Sequence, residues 1–323
     1  MNEGRTAACV RLARDGWRPA KGDLLLVVSA DEETGADFGA QWLCSEQAEK
    51  GRCDYVVNEG AGLALEYEGR TLYPVAVGEK GVFRFKVRTH GVAGHASLPG
   101  VGDNALLKLA PILERLRRQP DRETTADTEL FLERLLGESP GDLDSAVEQI
   151  RAADPLLAAL LAEPMLGVTF TPTMAAASDK GNVVPARAEV LVDCRVPPGM
   201  GEEVVREHIA SVLGDDGYEI EFVEEVVGNS SEMSGPLADA IEAWVSEIEP
   251  GAELLPLVMP GFSDSHWFRK AFGATVFGFC PQRTMSLAEA VPLIHGADER
   301  VAVADVELMA AFFHDLPRRL LGE

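Results

Sequence analysis

The spacing of apolar positions changes along this chain, and each change predicts a different kind of element. Residues 24–28, Leu24-Leu25-Leu26-Val27-Val28, form an unbroken apolar run between Gly22 and Gly35. A run without alternation predicts a strand buried on both faces, as in a parallel sheet. Before it, Ala7, Val10 and Ala13 share one side of a helix that Asp15-Gly16 stops. After it, residues 38–48 predict a second helix, and residues 54–57 repeat the strand pattern. Strand, helix and strand over about thirty residues predict a right-handed βαβ unit with parallel strands.

Past Gly78 the period becomes two. Phe83, Phe85 and Val87 alternate with Arg84, Lys86 and Arg88, as on a half-exposed antiparallel strand. Asp103 is placed to cap a helix bearing Leu106, Leu107, Leu109 and Leu113. Strands at 167–171, 188–194 and 218–223, with a helix at 202–213, complete a β-α-β-β-α-β order, the ferredoxin-like arrangement. Between its first helix and second strand, residues 121–164 read as an acidic helical insert with a solvated charged face. From Ser234 the α/β style returns, with a helix at 236–248, a buried strand at 275–279 and a closing helix at 301–316. The pattern is an α/β domain interrupted by a ferredoxin-like α+β domain.

Composition narrows the partners. The chain has 323 residues, 46% of them hydrophobic, enough for a sizeable core. Its 53 acids against 29 bases give a net charge of −24, which disfavours nucleic acid and anionic membranes as partners. Five cysteines, an odd number with no C-x-x-C pair, fit free thiols in a reducing, cytoplasmic compartment. No apolar run is long enough to span a membrane.

Chemistry enters where the first two strands end. Asp31-Glu32-Glu33 follows the first and Glu59-Gly60 the second. Acids at such a point also serve as helix N-caps. Parallel strands, however, would put Glu32, Glu33 and Glu59 on one sheet edge, where ligands of open α/β sheets bind. Three carboxylates there repel unless they are protonated or share a cation. Among the histidines, His208 and His314 fall in helices and His90 precedes a turn. His295 lies on a loop before Gly296, a better place for a metal ligand. His95 stands in the turn Gly94-His95-Ala96-Ser97. His266, with Ser263 or Ser265, could mimic a nucleophile turn, but the G-x-S-x-G spacing is absent.

These residues carry a resemblance. Ala30-Asp31-Glu32-Glu33-Thr34-Gly35, Asn58-Glu59-Gly60, Gly78-Glu79-Lys80-Gly81, Gly94-His95-Ala96-Ser97 with Asn104-Ala105, Asn182-Val183-Val184-Pro185, Asp193-Cys194-Arg195, Ser263-Asp264 and His295-Gly296-Ala297-Asp298-Glu299-Arg300 occur in that order. Each is weak alone, but the ordered set resembles the M20 metallopeptidases, which include aminoacylases, succinyl-diaminopimelate desuccinylase and glutamate carboxypeptidase. The resemblance implies a zinc-peptidase-like three-layer α/β catalytic domain at 1–79 and 229–323. It also implies a ferredoxin-like lid at 80–228 that forms a homodimer, with the helical insert at 121–164. It implies amide hydrolysis of N-acyl amino acids or small peptides with two zinc ions; cobalt and manganese suit the same donors. Glu32 matches the general base and His95 a lid histidine that stabilises the oxyanion. Glu33, Glu59 and His295 match metal ligands. Asn182, Arg195, Asp264 and His266 fall at substrate-binding positions.

The chain departs from the family upstream. A histidine in an H-x-D motif and a metal-bridging aspartate have no counterpart here, because the bridging position falls just before Met1. The expectation is an N-terminally incomplete catalytic domain that binds zinc weakly and hydrolyses amides poorly. The alternative is a non-catalytic dimer that binds a small carboxylate.

Overall fold

The computed structural model describes residues 2–214 and 216–322. Met1, beside which the bridging position falls, lies outside them. The chain divides into two compact units, one of residues 1–79, 126–165 and 229–323 and one of residues 80–125 and 166–228. Residues 126–164 of the insert thus fall with the first unit, not with the inserted domain in which the sequence pattern put them. Its amphipathic helices explain this. Ala126–Leu136 buries Phe131, Leu132 and Leu135, and Arg70 of the first unit donates to the Arg134 carbonyl at 3.0 Å.

The first unit is built on a mixed six-stranded sheet. Its path runs Tyr55–Asn58, Thr275–Gly278, Arg70–Glu79, Asn229–Ser230. Glu253–Met259 and Leu65–Tyr67 also pair with Arg70–Glu79. The strand Arg70–Glu79 is buried from Leu72 to its end, so it forms the spine of the unit. Helices Gly235–Ile248 and Val303–Leu321 cover the sheet, placing Leu237, Ile241, Trp244 and Phe312 against Tyr73, Val75 and Phe279. The helix Asn2–Arg14 packs on Val303–Leu321, and Gly4 allows the close approach, since a Cβ there would lie 2.8 Å from the Met309 Cβ.

Residues 24–28 overturn the first expectation. Among the described residues they join no strand, and Leu25 and Val28 are 50% and 72% exposed. The predicted βαβ pairing with 54–57 is therefore not formed. Tyr55–Asn58 instead runs parallel to Thr275–Gly278, with Tyr55 opposite Thr275 and Asn58 opposite Gly278.

The second unit matches the ferredoxin-like expectation closely. Its sheet order is Thr169–Ala176, Arg187–Val196, Gly81–His90, Glu219–Val226, all antiparallel. Helices Ala105–Arg115 and Glu202–Leu213 bury Leu109, Ile112, Val205 and Ile209 against Phe83, Phe85, Val190 and Val192. The cap of Ala105–Arg115 is Asn104, not Asp103: its Oδ1 accepts the Leu106 N–H at 3.0 Å. Asp103 instead holds Lys108.

Candidate functional site

In the first unit, the acids after residue 30 form a single tight turn. Asp31 takes a left-handed conformation (φ 68°), and Glu32–Thr34 is one turn of 3₁₀ helix. The Asp31 carboxylate receives the Thr34 hydroxyl and the Phe38 N–H, and its carbonyl receives the Ala36 N–H at 2.7 Å. Gly39 closes the turn, because a Cβ there would collide with the Ala30 carbonyl oxygen. A left-handed residue with a side chain costs about 1–3 kcal/mol, and such strain concentrates where a side chain must be aimed. Here the residue aimed is Glu32.

Glu32 is half-buried. Burial, then the charges of Glu59, Glu33, Asp264 and Glu79, push its carboxyl up to about 7. The sequence pattern gathered Glu32, Glu33 and Glu59 on a shared sheet edge, whereas in the structure Glu32 and Glu33 stand on a turn and only Glu59 follows a strand, Tyr55–Asn58. His295, also left-handed (φ 56°), reaches the same turn, with Nε2 3.4 Å from Glu33 Oε1. Glu33 and His295 are thus neighbours although 262 positions separate them. Both are exposed.

A carboxylate and an imidazole suit zinc, but a zinc site ordinarily draws on three or four protein donors. Among the described residues no three histidine, cysteine, aspartate or glutamate side chains converge on one point. Glu59 reaches Glu32 electrostatically but does not join the Glu33–His295 pair. The described donors do not fit a complete two-metal centre.

Asp264 accepts the Ser29 hydroxyl through Oδ2, while its buried Oδ1 has no hydrogen-bond partner. His266 is 1% exposed, its ring centroid 4.9 Å from those of both Phe262 (tilted) and Trp267 (edge-on), with both ring nitrogens buried and unpartnered. Burial pushes its imidazole down to about 4. The ring is therefore neutral and enclosed rather than presented to a ligand. The serine-nucleophile reading fails on the same geometry. Ser263 Oγ donates to Glu79 Oε1 at 2.8 Å, and Ser265 Oγ accepts from Asn58 Nδ2 at 3.1 Å, so neither serine pairs with His266.

Sequence reasoning missed the network beneath. Glu79 receives the Ser263 N–H and hydroxyl, both at 2.8 Å, and pairs with Arg269 at 3.3 Å. Arg269 also donates to Ser231 Oγ and Asn229 Oδ1 at 3.3 Å and to the Val276 carbonyl at 2.8 Å. Glu79 stood in a matched motif, but nothing in the sequence pointed to Arg269 as its partner.

The second unit holds the remaining candidates. His95 lies on the two-residue strand Gly94–His95, paired with Val183–Val184. The Ala96 N–H donates to the Asn182 carbonyl at 3.0 Å, so His95 and Asn182 share one exposed edge. His95 Nδ1 is engaged by Ser97, through its hydroxyl at 2.7 Å and its N–H at 3.3 Å. Arg195 is held by Asp193, with Nε to Oδ1 at 2.7 Å and Nη2 to Oδ2 at 3.3 Å. Lys80 is fully buried and donates to the Gly167 carbonyl at 2.7 Å; burial pushes its amine down to about 7.

Fold and ordered motifs together define a mixed α/β chain with a ferredoxin-like unit. Residues 77–221 match the family described as Peptidase dimerisation domain. This stretch carries an M20 peptidase dimerisation domain. It is 23% identical over 320 residues to "Probable carboxypeptidase S-like 2" of Dictyostelium discoideum, covering 94% of this chain and 60% of that protein. It is 26% identical over 304 residues to a succinyl-diaminopimelate desuccinylase of Cereibacter sphaeroides, covering 91% and 66%. The chain thus spans about two thirds or less of the length of these relatives. An M20 metallo-carboxypeptidase of Sulfolobus solfataricus shares the fold with TM-score 0.62 at 17% identity, over 99% of this chain and 74% of that one. Human carnosine dipeptidase 1 shares it with TM-score 0.59 at 11% identity, over 98% and 71%.

Proposed function

We propose that the chain serves a metal-dependent hydrolase of amide bonds in N-acyl amino acids or small peptides. The observation that carries this reading is the turn at Glu32. A half-buried carboxylate is ringed by acids, with His295 brought to its neighbour Glu33. In this reading Glu32 takes the proton of the attacking water and passes it to the leaving amine. A carboxyl titrating near 7 suits both transfers. His95 stabilises the developing oxyanion. Glu33, Glu59 and His295 are the metal-binding residues, and Asn182, Arg195 and Asp264 are substrate-binding residues, whereas the enclosed His266 is withdrawn from that role. Divalent metal use follows from the family; zinc is the ion proposed, with cobalt or manganese as substitutes. The names of the relatives make N-succinyl amino acids and peptide C-termini the first substrates to try.

Two finer points belong to the proposal. Residues 1–323 by themselves hold zinc weakly and turn over slowly, because Glu33 and His295 are the only adjacent ligand pair among the described candidates. The chain also forms a homodimer through its second unit. Thr169–Ala176 is an edge strand exposed from Thr171 onward, and Leu106, Leu107 and Leu113 are exposed on Ala105–Arg115. The non-catalytic carboxylate-binding alternative is less well supported, since it gives no role to the acids gathered around Glu32.

The test is amine release from a panel of N-acyl amino acids and dipeptides with zinc, cobalt or manganese added. Glu32→Gln should cut the measured turnover by about 10²–10⁴. Turnover indifferent to Glu32→Gln would sink the reading. Equilibrium dialysis tests the weak-metal point, and two tightly held zinc ions per chain would overturn it.

A further inference from the structure

The segment that leads into the Glu32 turn is poorly anchored. Among the described residues, 22–30 form no backbone–backbone hydrogen bond and join no strand. The turn at 31–39 is closed on itself by Asp31 and Ala36; buried Ala36, clustered with Phe268 and Val276, seats its far side, while Glu32 and Glu33 lie on the side that adjoins the segment. One side-chain bond ties the segment to the rest of the unit close to the turn: Ser29 Oγ donates to Asp264 Oδ2. Asp264 is well placed to hold it. It immediately follows Ser263, whose N–H and hydroxyl are both fixed on Glu79, and precedes Ser265, whose N–H returns to Ser263 Oγ at 3.2 Å. Glu79 sits at the end of the buried spine strand and is paired with Arg269.

We infer that Ser29 and Asp264 are positioning residues: their hydrogen bond transmits the rigidity of the Glu79–Ser263–Arg269 network to the turn that presents Glu32 and Glu33. The inference rests on reading Glu32 as the base for its functional meaning, but its geometry stands on the tether alone. Among the described residues, exposed Ser29 has no other hydrogen-bond partner, and the remaining Asp264 Oδ1 meets no protein donor. The link is therefore a single bond that conservative variants can break and restore.

Hydrogen exchange on the full chain tests it. In Ser29→Ala the amides of Ala36, Phe38 and Gly39 should exchange about tenfold faster, with no change in the spine strand Arg70–Glu79. Asp264→Ala should give the same local acceleration, and the double variant should add nothing, as expected for two ends of one bond. Ser29→Thr, which keeps the hydroxyl, should restore the wild-type rate. Unchanged exchange in Ser29→Ala would overturn the inference, as would equal acceleration of turn and spine or failure of Ser29→Thr to rescue. None of these readouts depends on turnover. A loosened turn together with an activity indifferent to Glu32→Gln would keep the tether and discard the base.

Discussion

Replacing Glu79 by Gln should destabilise the first unit far more than a surface charge change does. Glu79 and Arg269 have side chains only 2% and 4% exposed, with 3.3 Å between Oε1 and Nη1. At that separation and an effective dielectric of about 20, their attraction is about 5 kcal/mol. Desolvation of two buried ions costs several kcal/mol each, so the intact pair contributes little net stability. Glu79→Gln removes the counter-charge but leaves the Arg269 guanidinium buried, an imbalance of about 3–5 kcal/mol. The same size of loss should follow Arg269→Met, which strands Glu79. Glu79→Leu with Arg269→Met removes both charges, and it should lose clearly less than the two single losses together. Urea unfolding followed by tryptophan fluorescence reads this directly, because Trp244 lies in the core of the same unit. Single-variant losses below about 1 kcal/mol would mean that water reaches the pair, and the buried-network reasoning would fail. Strictly additive losses would equally show that the two residues are not coupled.

The remaining expectations are shorter. His266 is neutral when folded, with its imidazole near 4, and titrates near 6.5 when unfolded. The unfolded chain binds the extra proton, so stability is full above pH 6.5 and falls as pH drops toward 4, by at most about 3 kcal/mol. His266→Phe should flatten that part of a plot of melting temperature against pH; an unchanged slope would refute it. Lys80 acts with the same sign in a more alkaline window, since its amine falls from 10.5 unfolded to about 7 folded. Its contribution should make stability rise with pH between those values, and Lys80→Met should remove the rise in urea titrations. Gly39→Ala should distort the Glu32 turn through collision with the Ala30 carbonyl, detectable as amide shifts at 31–39 with little change in the second unit. Leu109→Ala, at a fully buried lid position, should cost about 2–5 kcal/mol in urea unfolding of that unit.

The period-two strands Gly81–His90 and Arg187–Val196 were legible because one face of each packs on helices and the other meets water, so burial is written into alternation. The helices Glu202–Leu213 and Gly235–Ile248 were legible for the corresponding reason at helical spacing. The spine strand Arg70–Glu79 and its neighbour Glu253–Met259 were not read as strands; each carries a proline, at 74 and 256, of a kind usually confined to strand edges. Residues 24–28 failed the other way, because an apolar run states what a segment can bury but not whether a partner is there to bury it.

At the candidate site, the motifs named Glu32, Glu33, Glu59, His95 and His295 one by one, and their order carried the resemblance to the M20 peptidases. Sequence by itself determined the chemistry available, because side-chain type is local. Which groups meet is a matter of long-range contacts. Only the tertiary structure brought His295 to Glu33, tied Ser29 to Asp264, paired Glu79 with Arg269 and enclosed His266 away from solvent. Such contacts depend on how distant segments pack, and the spacing of residues along one segment carries no record of them.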